Sequence, residues 1–541
     1  MKQIKIPPKT GQIIQWVVNI GIVLFSFWFL YSILRDLIQG MPYPSEYKEA
    51  VNIEMIRYIL AGKNPYALSA VHEQVPGPIY LYPFGYCYFV AAVAKLIPVN
   101  VVVLSRIISF LCIVFSALLI SLIVHKKTHN LCYTLLAFPL IINCHWRGGF
   151  AGAMPDDFAL FIMILLLYLM MLDIRRGKEI LAAFLVAILF YTKQYFIMVA
   201  GPLFFYFIFQ SKKKALIFSI SGILMAALSM IAVSIFMPNY WAYSLYFFNS
   251  PTDAYLTVQN VLYSIAQYRF IIILFFTQFL MIGLYVLYVI LKKKKTPLQW
   301  DLKHLGEPLI RIDSDPYEIL LWSGLWFMGA AVGYFGLNMG AYGSYFLQLL
   351  CPFVVILAAL CTTRLFALFS DEKGYVVVIK PFVMFGVAFV ALFFIYSKMD
   401  VIPVDQEVKG NWEEAYDIVE EYAGDIVYSP LMAYIGYEND AFVYDTGHVT
   451  VTRPYRREFY EQSETAKKRY PSIEDIFSVH AKLHEEMQNK AATGEYTLIT
   501  RVNELDFVFS KELLEKKYRL LKTIPLAAGN HVWPAEFWVL K

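Results

Sequence analysis

The stretch from Lys178 to Lys212, KEILAAFLVAILFYTKQYFIMVAGPLFFYFIFQSK, is apolar over roughly 30 residues and has basic residues at both ends. Lys and Arg collect on the cytoplasmic side of membrane proteins, so both ends are predicted to face the cytoplasm. One helix of this length would measure about 45 Å, which exceeds a single crossing of a ~30 Å hydrocarbon core. The stretch is therefore predicted to form two short half-helices, with their apex on the outer side at YTKQYF (191–196).

The composition of the whole chain is that of a membrane protein. Of its 541 residues, 59% are hydrophobic, 17% are aromatic and 16% are charged, whereas soluble domains carry about 25% charged residues. The net charge of +4 is small and the basic residues form short clusters between apolar runs, which disfavours nucleic acid as a partner. The six cysteines show no zinc-type spacing and imply no disulfide framework.

The basic clusters define a polytopic α-helical membrane protein with about eleven crossings. The predicted cytoplasmic clusters are Lys126-Lys127, Arg175-Arg176-Lys178, Lys212 to Lys214, Lys292 to Lys295 and Arg364 with Lys373. Besides the two half-helices, spans are predicted near 13–34, 100–124, 131–146, 158–173, 215–237, 261–291, 317–336, 343–363 and 375–397. With the N-terminus in the cytoplasm, an odd number of crossings places the C-terminus outside the plasma membrane.

The composition changes near Lys398, where charged residues become frequent. The chain is therefore divided into a transmembrane domain over 1–397 and an extracytoplasmic α/β domain over 398–541. Within the second domain, short strands are predicted at DIVYS, AFVYD, YTLIT and EFWVL, and helices at NWEEAYDIVEEYA and IEDIFSVHAKLHEEMQNKA. About 140 residues are enough for an independent core.

The first outer loop, over 35–99, is predicted to contain two interfacial helices. Glu46 and Glu49 are three residues apart and share a helical face, an apolar stripe follows them, and Gly62 ends the helix. We expect this amphipathic helix to lie on the outer membrane surface. The segment PIYLYPFGYCYFVAAVAKLIP is also placed in the interface, because a crossing there would reverse the side of every later cluster.

On this map, several ionisable and polar residues fall on the outer side. They are Glu46, Glu49, Glu54, Arg147, Asp156, Asp157, Lys193, Asp253, Gln259, Tyr342, Tyr345 and Gln348. Ionisable residues at membrane depth mark pathways or sites, so their convergence indicates a water-accessible site at the outer interface. Two simpler readings stay open, since loop carboxylates are often just solvated and Asp156-Asp157 fit the first turn of a helix.

The order of these segments resembles a known family. The run PSEYKEAVNIEMIRYILAGKNPY after the first span, then YLYPFGYCYF, LSRIISFL, AMPDDFALFIMILLLYLM, YTKQYF and AYGSYFLQLLCPF, is similar to the C-type membrane glycosyltransferases. Within that superfamily, the pattern resembles the protein-O-mannosyltransferase and aminoarabinose-transferase group and the polyprenol-phosphate-mannose transferases. The resemblance implies a mannosyltransferase-like enzyme that takes a sugar from a polyprenyl-phosphate carrier at the outer face and uses an acidic residue of the first outer loop as base.

The resemblance also implies roles for individual residues. Inverting transfer needs a carboxylate general base, for which Glu46 is the first candidate and Glu49 the second, because Ser45-Glu46 stands where the aminoarabinose-transferase group has an Asp-Glu pair. Candidates for binding the phosphate of the donor lipid are Arg106, Lys193 and Arg147, although Arg106 could equally snorkel to the headgroups. Candidates for holding or orienting the acceptor, a glycan, lipid or protein, are Asp156, Asp157, Tyr82, Tyr345 and Gln348.

No cofactor is required by these residues, and a divalent cation is compatible with them although no ligand cluster demands one. A transporter or flippase for a lipid-linked or anionic substrate is the alternative, because broken helices and buried charges also mark carriers. Against it, the charged residues gather at one face and no internal repeat is evident. A scaffold with a sensing ectodomain would leave the carboxylates of the first loop unexplained.

Overall fold

A computed structural model describes a helical bundle followed by an α/β part. The described residues are 8–39, 49–67, 82–146, 152–172, 177–246, 406–422, 424–439, 441, 454–502, 508–528 and 531–541, with 324, 325, 328, 352, 353, 355, 356 and 359. The helices of the first part are α1 (Pro8–Gln39), α2 (Glu49–Leu60), α3 (Gly85–Leu96), α4 (Val101–Thr128), α5 (Leu131–Trp146), α6 (Pro155–Met170), α7 (Lys178–Thr192), α8 (Ala200–Gln210) and α9 (Lys212–Phe236).

The predicted break in the long apolar stretch is confirmed. Helix α7 ends at Thr192, Lys193 has an extended backbone, and a 3₁₀ turn over Gln194–Val199 leads into α8. Ser211 then caps α9 by accepting a hydrogen bond from the backbone N–H of Lys213. Lys193 therefore stands at a point where the helical hydrogen-bond ladder is interrupted, and such interruptions at membrane depth are tolerated where the backbone is buried in protein or lines a cavity.

Three of the described helices are long and apolar enough to cross a membrane. They contain the stretches Gln12–Arg35, Val101–Thr128 and Lys212–Phe236, each of which was predicted as a span. The predicted spans near 261–291, 317–336, 343–363 and 375–397 lie wholly or largely outside the described residues. The total of about eleven crossings therefore stays a prediction.

The first outer loop contains the two predicted helices, but α2 is not a surface helix. Gly62, with φ +73°, ends α2 as predicted, and its N–H donates to the carbonyl of Ile59. Helix α3 has 12 residues, which is too short to cross a bilayer. One face of α2 was expected to be exposed, but its residues from Glu49 to Ile56 are all buried. The C-terminal part of the chain packs against the face that was expected to meet water.

The C-terminal part contains a four-stranded mixed sheet in the order β1-β2-β4-β3. Strand β1 (Ile426–Val427) runs parallel to β2 (Leu498–Val502), and β4 (His531–Leu540) pairs antiparallel with both β2 and β3 (Tyr518–Ala528). The described helices around this sheet are α10 (Gln406–Glu421), α11 (Ala433–Glu438), α12 (Pro454–Gln462), α13 (Glu464–Arg469), α14 (Ser472–Thr493) and α15 (Lys511–Leu514). This agrees with the predicted α/β character, although the boundary at 398 lies outside the described residues.

Three of the four predicted strands can be compared with the sheet. DIVYS contains β1, YTLIT overlaps β2 and EFWVL lies within β4, whereas AFVYD lies outside the described residues apart from Ala441. Strand β3 was not predicted. Its burial alternates only at its end, where Ile524 and Leu526 are buried, so the two-residue period that identifies a strand is weak.

The two parts of the chain share hydrophobic cores. One cluster joins Val51 and Met55 of α2 with Tyr86 of α3 and with Ile473 and Phe477 of α14. A second cluster includes Ala50 of α2 with the sheet and α10. Helix α2 is therefore the layer between the bundle and the C-terminal part.

Candidate functional site

Lys193 lies in a buried cluster at the helix break. Its side chain is 2% exposed, and its Nζ lies 2.9 Å from Oδ2 of Asp156. The hydroxyl of Tyr195 donates to Oδ1 of the same carboxylate at 2.7 Å. The ring of Tyr82 lies under the ammonium group, with its centroid 3.6 Å from Nζ, which is a cation–π contact. The buried positive charge of Lys193 is thus surrounded by one aspartate and two tyrosines, and the four residues come from three separate segments.

Asp156 and Asp157 are held at the start of α6. Pro155 is the first helical residue, a position that suits proline because its missing N–H has no helical partner, and carboxylates in the first turn face the positive end of the helix dipole. Asp157 lies next to a different residue, with Oδ1 at 3.4 Å from Nδ1 of His145 at the end of α5. Both side chains are 1% exposed, and within the described part of the chain neither is aligned for a hydrogen bond.

Glu49 and Arg106 form a second buried pair. Asn100 caps α4 by accepting from the N–H groups of Val102 and Val103, which places Arg106 in the second turn. The guanidinium donates through Nε to Oε1 at 3.1 Å and through Nη2 to Oε2 at 2.9 Å, a bidentate arrangement. Burial alone would raise the pKa of Glu49, but the charge and hydrogen bonds of Arg106 outweigh it and lower that pKa.

Two further groups donate hydrogen bonds to the Glu49 carboxylate. The backbone N–H of Ala153 donates to Oε1 at 2.6 Å, and the hydroxyl of Tyr434, from α11 in the C-terminal part, donates to Oε2. Asn52, one turn along α2, donates through Nδ2 to the carbonyl of Ala153 at 2.8 Å. Helix α2 therefore forms hydrogen bonds with both the backbone N–H and the backbone carbonyl of Ala153, which lies three positions before Asp156.

These clusters lie at the opposite end of the bundle from the basic clusters. Helix α6 has Asp156 at its first turn, and the carbonyls of Met171 and Leu172 just beyond its last turn accept from Lys126 at 2.5 Å and from Lys178 at 3.1 Å. Lys126 and Lys178 were both predicted to face the cytoplasm. The buried ion pairs thus lie at the end of the bundle that the positive-inside rule predicted to be the outer one.

The structure brings together some of the predicted site residues and separates others. Lys193, Asp156 and Tyr82 form one cluster, whereas Arg106 is paired with Glu49 and Asp157 faces His145. Glu46, Arg147, Tyr345 and Gln348, like Asp253, Gln259 and Tyr342, lie outside the described residues. Sequence reasoning missed Tyr195, Asn52 and Tyr434. Tyr195 lies within the flagged YTKQYF segment, but no local signal connects Tyr434 to a carboxylate 385 positions away.

Within the described residues, no group of three or more His, Cys, Asp or Glu side chains is arranged to hold a metal ion.

Comparison with known proteins gives a fold and no family. No family model matches the chain, and no curated protein matches it. Among solved structures, ArnT from Cupriavidus metallidurans bound to undecaprenyl phosphate is 12% identical, with a TM-score of 0.54 over 95% of this chain and 97% of that chain. The same protein in the apo state is 11% identical, with a TM-score of 0.46 and the same coverage. The chain therefore has a fold similar to that of ArnT, and the likeness includes its C-terminal part.

Proposed function

We propose that this protein is an integral membrane glycosyltransferase that moves a sugar from a polyprenyl-phosphate carrier to an acceptor hydroxyl on the outer face of the membrane. The observation that carries the proposal is the buried Lys193–Asp156 pair between Tyr82 and Tyr195 at the interrupted helix. A buried charge at membrane depth is costly and is typical of a substrate site. The ArnT-like fold supports the proposal, because ArnT has been crystallised with undecaprenyl phosphate.

The proposed reaction inverts the sugar configuration. The acceptor oxygen attacks the anomeric carbon while the bond from that carbon to the phosphate oxygen breaks, and the electron pair leaves with the polyprenyl phosphate. The hydroxyl proton goes to a carboxylate base. The negative charge that develops on the leaving phosphate needs a fixed positive group, which is the role that we assign to Lys193.

The contacts of Lys193 suit this role. Asp156 fixes the position of the ammonium group, and Tyr195 in turn fixes Asp156. An ammonium group has three N–H donors that point in different directions, so a lysine can contact more than one anionic group at a time. The buried setting strengthens such a charge-assisted contact relative to one in water.

Of the two candidate bases, we assign proton transfer to Glu46. The carboxylate of Glu49 already accepts from Arg106, Ala153 and Tyr434 and is fully buried. A carboxylate that is held in its charged form by an arginine is a weak proton acceptor, because the arginine stabilises the charge that protonation would remove. This arrangement supports a holding role for Glu49.

A transfer assay with matched lysine variants tests the proposal. The protein in lipid nanodiscs is given radiolabelled sugars on polyprenyl phosphate together with membrane extract as the source of acceptor. Lys193→Met keeps the length of the side chain and removes the charge, so transfer is expected to fall by roughly 10²-fold, the typical loss when one group that stabilises the transition state is removed. Lys178→Met is the matched control, since Lys178 begins α7 at the end away from Lys193, where its ammonium group donates to the carbonyl of Leu172.

The same assay separates the competing outcomes. Glu46→Gln is expected to lower turnover by roughly 10²-fold while donor binding changes little, as for a general base. If Lys193→Met transfers sugar as fast as Lys178→Met and the wild-type protein, the assignment of Lys193 to the phosphate site is wrong. A separate assay in sealed vesicles tests the carrier alternative: if wild-type protein moves the labelled lipid across the vesicle membrane but transfers no sugar in nanodiscs, the carrier replaces the enzyme.

A further inference from the structure

Tyr434 joins the C-terminal part to the buried Glu49–Arg106 pair. Its hydroxyl donates to Oε2 of Glu49 and accepts from Nη2 of Arg106 at 3.4 Å, and its ring lies 5.4 Å from Cζ of Arg106. The tyrosine side chain is 5% exposed and shares a hydrophobic cluster with Ile53 and Ala153. A residue of the C-terminal part is thus embedded in the polar core of the first outer loop.

The contact continues from Glu49 toward the proposed phosphate site. Oε1 of Glu49 accepts from the N–H of Ala153, and Asn52 donates to the carbonyl of the same residue. Ala153 and Met154 lead directly into Pro155 at the start of α6, and Asp156 follows. The position of Asp156 relative to Lys193 therefore depends on where α2 holds the Ala153 backbone.

The two oxygens of the Glu49 carboxylate accept hydrogen bonds from different parts of the chain. Oε2 faces Tyr434 and Oε1 faces Ala153, while Arg106 donates to both. A carboxylate is planar and rigid, so a rotation that follows the loss of one partner moves the other oxygen as well. Loss of the Tyr434 hydroxyl would therefore shift the carboxylate and, through Oε1, the Ala153 backbone.

We propose that Tyr434 is a positioning residue for the lipid-phosphate site, acting through Glu49 and Ala153 on the Asp156–Lys193 pair. The C-terminal part is then a component of the site. This inference rests on the proposed function, because it takes Lys193 to be the group that binds the phosphate.

Tyr437 provides a matched control. It lies on the same short helix α11, and its hydroxyl also donates to α2, to the carbonyl of Ala50 at 2.6 Å. The ring of Tyr437 packs on Arg57, with 4.7 Å from Cζ to the ring centroid. Tyr434→Phe and Tyr437→Phe therefore each remove one hydroxyl from the same interface, and only the first hydroxyl contacts the Glu49 carboxylate in the described structure.

The probe is undecaprenyl phosphate, which contains the phosphate and lipid without a sugar. Its dissociation constant is measured in nanodiscs for wild type, Lys193→Met, Tyr434→Phe and Tyr437→Phe, together with the ³¹P chemical shift of the bound phosphate and the thermal unfolding midpoint. We expect Tyr434→Phe to weaken binding roughly tenfold, as for the loss of one hydrogen bond to a charged group, and to move the ³¹P shift. Tyr437→Phe is expected to leave both quantities at the wild-type value.

The outcomes distinguish this inference from the proposed function. If Lys193→Met binds the lipid as tightly as wild type, the proposed phosphate site is wrong. If Lys193→Met loses binding but Tyr434→Phe keeps wild-type affinity and ³¹P shift, the positioning role is wrong, and a lower unfolding midpoint alone would show Tyr434 to be purely structural. Should Tyr434→Phe unfold at the assay temperature, both quantities are measured at a lower temperature at which the variant is folded, and wild-type affinity and ³¹P shift there overturn the inference equally.

Discussion

Glu54 is a buried carboxylate whose partner is weaker than that of Glu49. Both lie on α2, but Arg57 is 19% exposed and contacts Glu54 through one nitrogen at 3.3 Å. Burial raises the pKa of Glu54 to about 7, and the charge of Arg57 offsets this only in part. The bidentate and fully buried Arg106 has the opposite net effect on Glu49. Two glutamates on one helix therefore have pKa values shifted in opposite directions by the geometry of their arginines.

This shift predicts a pH-dependent stability. Because the pKa of Glu54 in the folded state exceeds its unfolded value of 4.5, the folded protein binds more protons between about pH 4.5 and about pH 7, and stability falls as the pH rises through that window. Glu54→Gln should leave the free energy of unfolding nearly unchanged at pH 5 and should raise it at pH 8 by on the order of 3 kcal/mol. Thermal unfolding in detergent at both values measures the difference.

The control is Glu413→Gln, which changes a glutamate on α10 that is 59% exposed and pairs with Lys409 across one helical turn. A surface pair of this kind contributes little to stability. If Glu413→Gln shows the same gain at pH 8, or if Glu54→Gln shows none, the pH dependence does not come from burial of Glu54.

Individual site residues were predictable where the sequence itself is anomalous. Lys193 interrupts an apolar run that is too long for one helix, and Asp156-Asp157 follow a proline at the start of another run. These signals are local. The partners are not, since Lys193 meets Asp156 and Glu49 meets Tyr434 only after the segments between them have folded. Residue spacing could therefore identify the charged groups but could not pair them.

Among the elements, the break between α7 and α8 was predictable because membrane thickness limits the length of a helix. The burial of α2 was not. Its apolar stripe indicates one buried face, and the second face is buried through ion pairs and hydrogen bonds with Arg106, Ala153 and the C-terminal part. Polar residues that bury each other have the same periodicity in sequence as polar residues that face water.

The contact between α3 and α7 gives a prediction at this scale. Gly85 begins α3, and a Cβ at that position would lie 2.6 Å from the carbonyl oxygen of Tyr191 and 3.0 Å from Oγ1 of Thr192. Gly85→Ala must therefore move the start of α3 away from the end of α7, next to Lys193. We expect a loss of about 1–3 kcal/mol in the free energy of unfolding, as for overpacked sites, and weaker binding of undecaprenyl phosphate.

Gly222→Ala is the comparison for this change. Gly222 lies in the interior of α9, and no described atom lies within 4 Å of a Cβ built there. Alanine in a helix interior is favoured over glycine by about 0.5–1 kcal/mol, so this variant should be as stable as wild type or slightly more stable. Equal stability of the Gly85→Ala and Gly222→Ala proteins would show that α3 and α7 are not in close contact.

At the scale of the whole molecule, the two ends of the bundle differ in their charged residues, and the C-terminal part packs against one of them. Lys126 and Lys178 meet carbonyls at one end, while the Lys193–Asp156 and Glu49–Arg106 pairs lie at the other end, beneath the C-terminal part. The positive-inside rule predicts that the first end faces the cytoplasm. On that prediction the C-terminal part faces outward, the side from which the donor and acceptor of the proposed reaction would approach.

This orientation is the last prediction. In sealed cells, a reporter fused after Lys541 should be accessible to a membrane-impermeant reagent, because the C-terminal part is predicted to be outside. A cysteine in place of Lys213, which is exposed at the start of α9, should react only after the membrane is permeabilised. Both positions are measured in the same cells, with permeabilised cells as the control for intrinsic reactivity. Protection of both positions, or reaction of both, would contradict the arrangement of the two ends and would remove the basis for placing Lys193 at the outer face.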